Sequence, residues 1–180
     1  MKLFIASDIH GSAYFAELMV KAFEASGAEK LVLLGDILYH GPRNDLPDGY
    51  APKEVIEELN VLKGRVISVR GNCEAEVDQM VLSFPVLADY TMIPYEKKTV
   101  FLTHGHIYNE NNLPPLCDGD VLVHGHTHVP VCERRDGYIL INPGSVAIPK
   151  ENSHHGYAIL ENGEFTLKDF EGNVKANLTI

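Results

Sequence analysis

Polar residues of the kinds that bind metal ions recur in this chain where apolar runs stop. Asp8 and His10 follow the run 2–7, Asp36 follows Leu31–Leu34, and Asn72 follows Arg65–Val69. His104 follows Val100–Thr103, and His126 and His128 follow Val121–Val123. Glycine stands beside nearly all of them, at Gly11, Gly35, Gly71, Gly105 and Gly125, where it lets the backbone turn sharply and come close to an ion. Each signal alone is weak. An Asp after a strand is a helix cap or turn former about half the time, and a lone His is more often a satisfied polar residue than a ligand. Two carboxylates, one amide and four imidazoles at five strand ends of one small chain put a purely structural origin for the whole set below roughly 5%.

The donor types narrow the metal. Mixed imidazole and carboxylate suits Mn²⁺ first, with Fe²⁺, Zn²⁺ or Ni²⁺ as alternatives, and no Cys-x-x-Cys set selects a structural zinc. Seven donors are too many for one tetrahedral ion. They fit two divalent ions sharing a carboxylate, a pair about 3.5–4 Å apart that clamps a phosphoryl group.

The elements that must position these residues follow from pattern. Residues 2–7, Leu31–Leu34 and Arg65–Val69 predict three buried strands. Ser12 caps a helix whose apolar positions Phe15, Leu18, Met19, Ala22 and Phe23 share one face, and Gly27 ends it. Pro52 opens a second helix running to about Leu62. Strand–helix–strand–helix–strand predicts a mainly parallel sheet covered by helices, and the carboxyl ends of such strands are where ligands bind. The second half has short strands and hairpin signals at Asp136-Gly137 and Asn162-Gly163. Tyr157–Leu160 and Phe165–Phe170 predict late strands. No linker separates the halves, so residues 1–180 are expected to form one domain.

Composition sets outer limits. The 180 residues are 45% hydrophobic, enough for a real core. The formal charge of −10 opposes stable nucleic-acid binding, which needs a basic face, but allows a phosphorylated substrate once metal ions reverse the local field. The start carries no signal-peptide pattern, and no apolar run reaches the roughly 20 residues of a membrane span. Three cysteines, Cys73, Cys117 and Cys132, read as free thiols of a reducing compartment, so the expected location is cytoplasmic. Nothing in the sequence opposes a homo-oligomer.

The order Asp8-x-His10, Gly35-Asp36, Gly71-Asn72, Thr103-His104-Gly105-His106 and Gly125-His126-Thr127-His128 resembles the calcineurin-like metallophosphoesterases over nearly the whole chain. The short length and Asn142-Pro143-Gly144-Ser145 resemble the compact prokaryotic phosphodiesterase branch. This resemblance implies a four-layer α/β/β/α sandwich, two mixed sheets flanked by helices with the metals at one edge. It implies one ion on Asp8, His10 and His128 and another on Asn72, His104 and His126, with Asp36 bridging. It implies a metal-bridging hydroxide that attacks the phosphorus of a small phosphodiester. A phosphomonoesterase on the same site and a non-catalytic interaction module on the same fold are the competing readings. All seven ligand positions are filled, which favours an enzyme.

One position departs from the family pattern. Gly71-Asn72-Cys73-Glu74 stands where much of the superfamily has Gly-Asn-His-Asp/Glu, and a thiol is a poorer acid toward an alkoxide. Other candidates for acid or phosphate contact are Arg43, His106 and Cys73 itself. For His106, as for His124, a supporting role beside the ligands is the stronger reading. The loop from Tyr39 to Tyr50 follows Asp36 directly and is expected to reach over the site, where Arg43 could fork onto a phosphate oxygen. His154 and His155 are expected to face solvent.

Overall fold

The computed structural model describes residues 1–180. In chain order its elements are β1 (Leu3–Ala6), α1 (Ala13–Ser26), β2 (Lys30–Leu33), α2 (Pro52–Val61), β3 (Val66–Ser68), α3 (Glu76–Val81) and β4 (Tyr90–Tyr95). They continue with β5 (Lys98–Thr103), β6 (Asp120–Val123), β7 (Val131–Arg134), β8 (Tyr138–Asn142), β9 (Gly156–Glu161), β10 (Glu164–Asp169) and β11 (Val174–Thr179).

Local chemistry explains the first elements. The Ser12 hydroxyl accepts the Phe15 N–H at 3.2 Å, satisfying an orphan donor at the start of α1. Gly27, at φ +68°, ends the helix in the left-handed conformation, with its N–H returned to the Glu24 carbonyl. Pro52 occupies the first turn of α2, where its missing N–H costs nothing.

β1, β2 and β3 pair in parallel, as expected. The sheet they form is longer than the first half predicts, because β9, β10 and β11 add to the other side of β1 in antiparallel fashion. The order is β11-β10-β9-β1-β2-β3. A second mixed sheet runs β4-β5-β6-β8-β7. The alternation of strand side chains divides the interior in two. Leu3 and Ile5 of β1 join Val100, Leu102, Val121 and Ile139 between the sheets. Phe4 and Ala6 turn the other way, against Phe15, Met19 and Phe23 of α1 and Val55 and Leu59 of α2. Each such side chain contributes about 1.5–3 kcal/mol on burial.

The two packed mixed sheets expected from the sequence are observed, with helices over the six-stranded sheet and a thin, non-helical layer over the other. Phe101, Leu122 and Leu140 on the outer face of the five-stranded sheet are covered by Tyr108 and Leu116, from a connection without a helix. β1, β2, β5 and β6 run parallel or belong to parallel pairs. Their carboxyl ends therefore gather at one edge of the sandwich.

Candidate metal centre

The turns at that edge are conformationally demanding. Asp8, His10, Asp36, His126 and His128 all have positive φ, between +50° and +65°. For non-glycine residues this region is sparsely used and costs of order 1–3 kcal/mol each. Glycine fills the gaps between them. A Cβ on Gly125 would collide with Ser7 and the Asp8 carboxylate, and one on Gly71 with Asp36. Close backbone approach, rather than loop flexibility, explains these glycines.

The seven residues expected from the sequence converge. His10 Nε2 lies 3.3 Å from His128 Nε2 and 3.7 Å from Asp36 Oδ2. His128 Nε2 is 3.3 Å from Asp8 Oδ1. On the other side of Asp36, His104 Nε2 is 3.5 Å from Asp36 Oδ2, 3.2 Å from Asn72 Oδ1 and 3.1 Å from His126 Nδ1. Asp36 thus stands between two groups of donors. Asp8, His10, Asp36, His104 and His128 are buried, whereas His126 is half-buried and Asn72 exposed.

The ring orientations are set from behind. The Nδ1 of His10 donates to the Tyr39 carbonyl at 2.8 Å, that of His104 to Leu34 at 2.7 Å, and that of His128 to Ile148 at 2.6 Å. A carbonyl only accepts, so in the neutral rings Nε2 carries the lone pair and faces the cluster. The result is that the Nε2 lone pairs of His10, His104 and His128 face one another and the carboxylates of Asp8 and Asp36 at 3.3–3.7 Å. Asp8 Oδ1 is buried and has no hydrogen-bond partner. Buried acceptors with nothing to accept are costly, and cations filling the space between them resolve that cost. The residues present therefore fit divalent ions.

A proton can take the place of a cation here. Burial opposes ionisation of Asp8, but His10, His128 and His104 in their protonated forms hold its carboxyl well below the usual range by hydrogen bonding and charge. Burial lowers and Asp8 raises His10, with the Asp8 effect prevailing. His126 is pushed down to about 4 by burial and by His104, so it is neutral and available as a ligand at pH 7.

Several supporting residues lie in runs noted in the sequence, but their roles are not readable there. Glu74 is buried and accepts N–H bonds from Asp36 at 2.9 Å, Ile37 at 2.7 Å and Gly71 at 2.5 Å, clamping the loops that carry Asp36 and Asn72. Burial and the neighbouring Asp36 push its pKa up to about 7. Ser145 Oγ donates to the Asp8 carbonyl at 2.8 Å, and Asn142 Nδ2 donates to the Gly125 carbonyl at 2.9 Å. Assigning these roles needs the second strand end in place, which no local motif supplies.

The weaker candidates separate. Arg43 lines the cleft of about 430 Å³ over the cluster, together with Asn44 and Lys150. Cys73 gives its backbone N–H to Asp36 Oδ1 at 2.9 Å, and its thiol accepts from Asn72 Nδ2 at 3.3 Å. Burial and Asp36 push that thiol up, so it stays neutral. The His106 ring lies tilted, 5.4 Å from that of His104, and does not line the cleft. His124 turns away, with Nε2 3.1 Å from Glu110. The expectation that His154 and His155 face solvent is corrected. Both are half-buried, and His155 stacks on Phe15 at 4.0 Å and bonds the Val146 carbonyl at 2.8 Å, because Phe15 offers an apolar face at the start of α1. A larger open hollow of about 680 Å³ lies along β9–β11, away from the cluster.

The calcineurin-like phosphoesterase superfamily domain matches residues 1–164. Phosphodiesterase YfcE of Escherichia coli strain K12 is 54% identical over 162 residues, covering 90% of this chain and 88% of that protein. The probable metallophosphoesterase YsnB of Bacillus subtilis is 25% identical over 95% of this chain and 91% of its own. A solved structure of the Escherichia coli phosphoesterase Yfce superposes with a TM-score of 0.98 at 49% identity, covering 100% of both chains.

Proposed function

The chain belongs to the calcineurin-like phosphoesterase superfamily, and from that premise we propose that its seven-residue cluster holds two divalent ions and hydrolyses small phosphodiesters. The reaction class, hydrolysis of phosphoric diester bonds, comes with the family and with the 54% identical phosphodiesterase. The observation that carries the dinuclear reading is the facing of bare acceptors on both sides of Asp36, with Asp8 Oδ1 buried and unpartnered.

One ion would sit among Asp8, His10 and His128, the other among Asn72, His104 and His126, with Asp36 between them. When bound, such ions supply Lewis acidity to the phosphoryl oxygens and make water acidic near neutral pH. The protein residues do the positioning. Three backbone carbonyls hold the imidazoles of His10, His104 and His128 in the tautomer that presents Nε2. Glu74 fixes the Asp36 turn, and Cys73 N–H orients Asp36 Oδ1. The mixed carboxylate, amide and imidazole set admits Mn²⁺, which we take as the first ion, with Fe²⁺, Zn²⁺ and Ni²⁺ as alternatives. The three free cysteines support a reducing, cytoplasmic setting, and no helix is long and apolar enough to cross a membrane.

Metal-loaded protein should contain two ions per chain by elemental analysis. Chelation should abolish hydrolysis of bis(4-nitrophenyl) phosphate, and Mn²⁺ should restore it best. One ion per chain in both the native protein and Asp36→Asn would end the shared-carboxylate reading.

A further inference from the structure

The cleft over the cluster carries two cations that no carboxylate neutralises. Arg43 and Lys150 both line it and both are exposed. Neither has an acidic partner, a state they share with seven others of the fifteen Lys and Arg, since only Lys2, Lys21, Arg65, Arg70, Arg135 and Lys175 are ion-paired. What sets these two apart, in a chain of net charge −10, is that both line the one cleft over the cluster.

Their placement is tied to the centre. The Lys150 N–H donates to the His128 carbonyl at 3.1 Å, so this loop is anchored to one proposed ligand. The loop bearing Arg43 begins at Tyr39, whose carbonyl holds His10, and is pinned by Asn44 Nδ2 on the His40 carbonyl at 2.9 Å. Each cation therefore comes from a loop fastened to one of the two histidines that face each other at 3.3 Å.

The single negative charge of a diester is met by the proposed ions. A guanidinium and an ammonium beyond them address a second anion, and the planar Arg fork suits phosphate oxygens. The cleft wall also excludes one class of substrate arm. One of its 12 lining residues is hydrophobic, so an apolar ester arm finds little surface against which to be buried.

We infer that the cleft selects small, polar phosphodiesters carrying a second phosphate on one ester arm, which Arg43 and Lys150 grip. This rests on the phosphodiesterase reading above. The test compares ethyl 4-nitrophenyl phosphate with 2-phosphoethyl 4-nitrophenyl phosphate on metal-loaded protein. The native kcat/KM ratio should favour the phosphorylated arm by about tenfold or more. In the double variant Arg43→Ala, Lys150→Ala that ratio should fall close to unity. Calorimetry gives an independent readout: propane-1,3-bisphosphonate should bind more tightly than propylphosphonate in the native protein, and the double variant should lose that margin. A native ratio near unity, an undiminished ratio in the double variant, or a stronger preference for a 2-carboxyethyl arm overturns the inference while leaving the diesterase reading in place. Failure to hydrolyse either diester overturns that reading, and the inference with it.

Discussion

Asp8 and Asp169 stand at the same edge of the six-stranded sheet, one just past β1 and the other closing β10. Burial works against ionisation in both, and in both the surroundings win and hold the carboxyl well below its usual range. The partners differ. Asp169 has donors on both oxygens: Lys175 Nζ at 2.7 Å, and the backbone and side-chain amides of Asn173 at 2.9 Å. Asp8 Oδ1 has none, and faces the bare nitrogens of His10 and His128 at 3.6 and 3.3 Å. A carboxylate whose oxygens are filled by fixed donors closes a turn. One left opposite other acceptors is built to receive a cation. An Asp after a strand looks the same in both cases until its oxygens are accounted for.

The largest effect should come from the site side of this contrast. Asp36→Asn should lower diester hydrolysis by about 10³-fold, the scale for removing a central electrostatic group, and reduce bound metal. The thermal midpoint of the metal-free protein should hardly move. Asn tolerates the left-handed backbone at φ +54° and its oxygen can still accept the Cys73 N–H. An unfolded Asn variant would place Asp36 with Asp169, as a carboxylate that holds the fold.

A smaller effect belongs to the turn beside Asp169. Phe15 stacks on His155 at 4.0 Å and packs in the core with Met19 and Phe23. Phe15→Ala should cost about 3 kcal/mol in denaturant unfolding while leaving two ions per chain in the folded fraction. Loss of metal in step with stability would show that the two turns are coupled, and the comparison would lose its force.

Much of the molecule is legible in its sequence alone. Ser12, Gly27 and Pro52 mark the helices because capping is local chemistry, and the parallel β1–β3 run follows from them. The seven candidate ligands stand out because each follows an apolar run. The partition of strands is not legible: β9–β11 join the first sheet through pairings such as Leu3 with Leu160, which no local pattern encodes. β4, with Pro94 inside it, and the six-residue α3, which buries no side chain, give no periodic signal. Glu74 is visible in the Gly71-Asn72-Cys73-Glu74 run but its role is not, because that role needs three backbone N–H groups from two loops. His154 and His155 read as solvent-facing because polar neighbours in sequence say nothing of Phe15 in space.

The smallest effect separates the two carboxylates by pH. Asp169→Asn keeps an acceptor for the Asn173 backbone N–H but loses the charge that faces Lys175. With Lys175 37% exposed, solvent screening limits the pair to about 1 kcal/mol. The sign follows from the lowered pKa. The folded protein holds Asp169 ionised at pH values where the unfolded chain, with a carboxyl near 3.9, takes up a proton. Its contribution is therefore complete above about pH 4 and is lost as pH falls through the lower folded value. Native protein and variant should differ by that ~1 kcal/mol at pH 7 and converge in acid. Both should be measured after chelation, so that metal release does not enter. Asp8 is also held low, and acid will weaken both proteins through it, but that contribution is common to the two and cancels in their difference. A gap that persists unchanged to pH 2 would mean that shape and not charge makes Asp169 a structural residue. The contrast with Asp8 would then rest on the unpartnered oxygen alone.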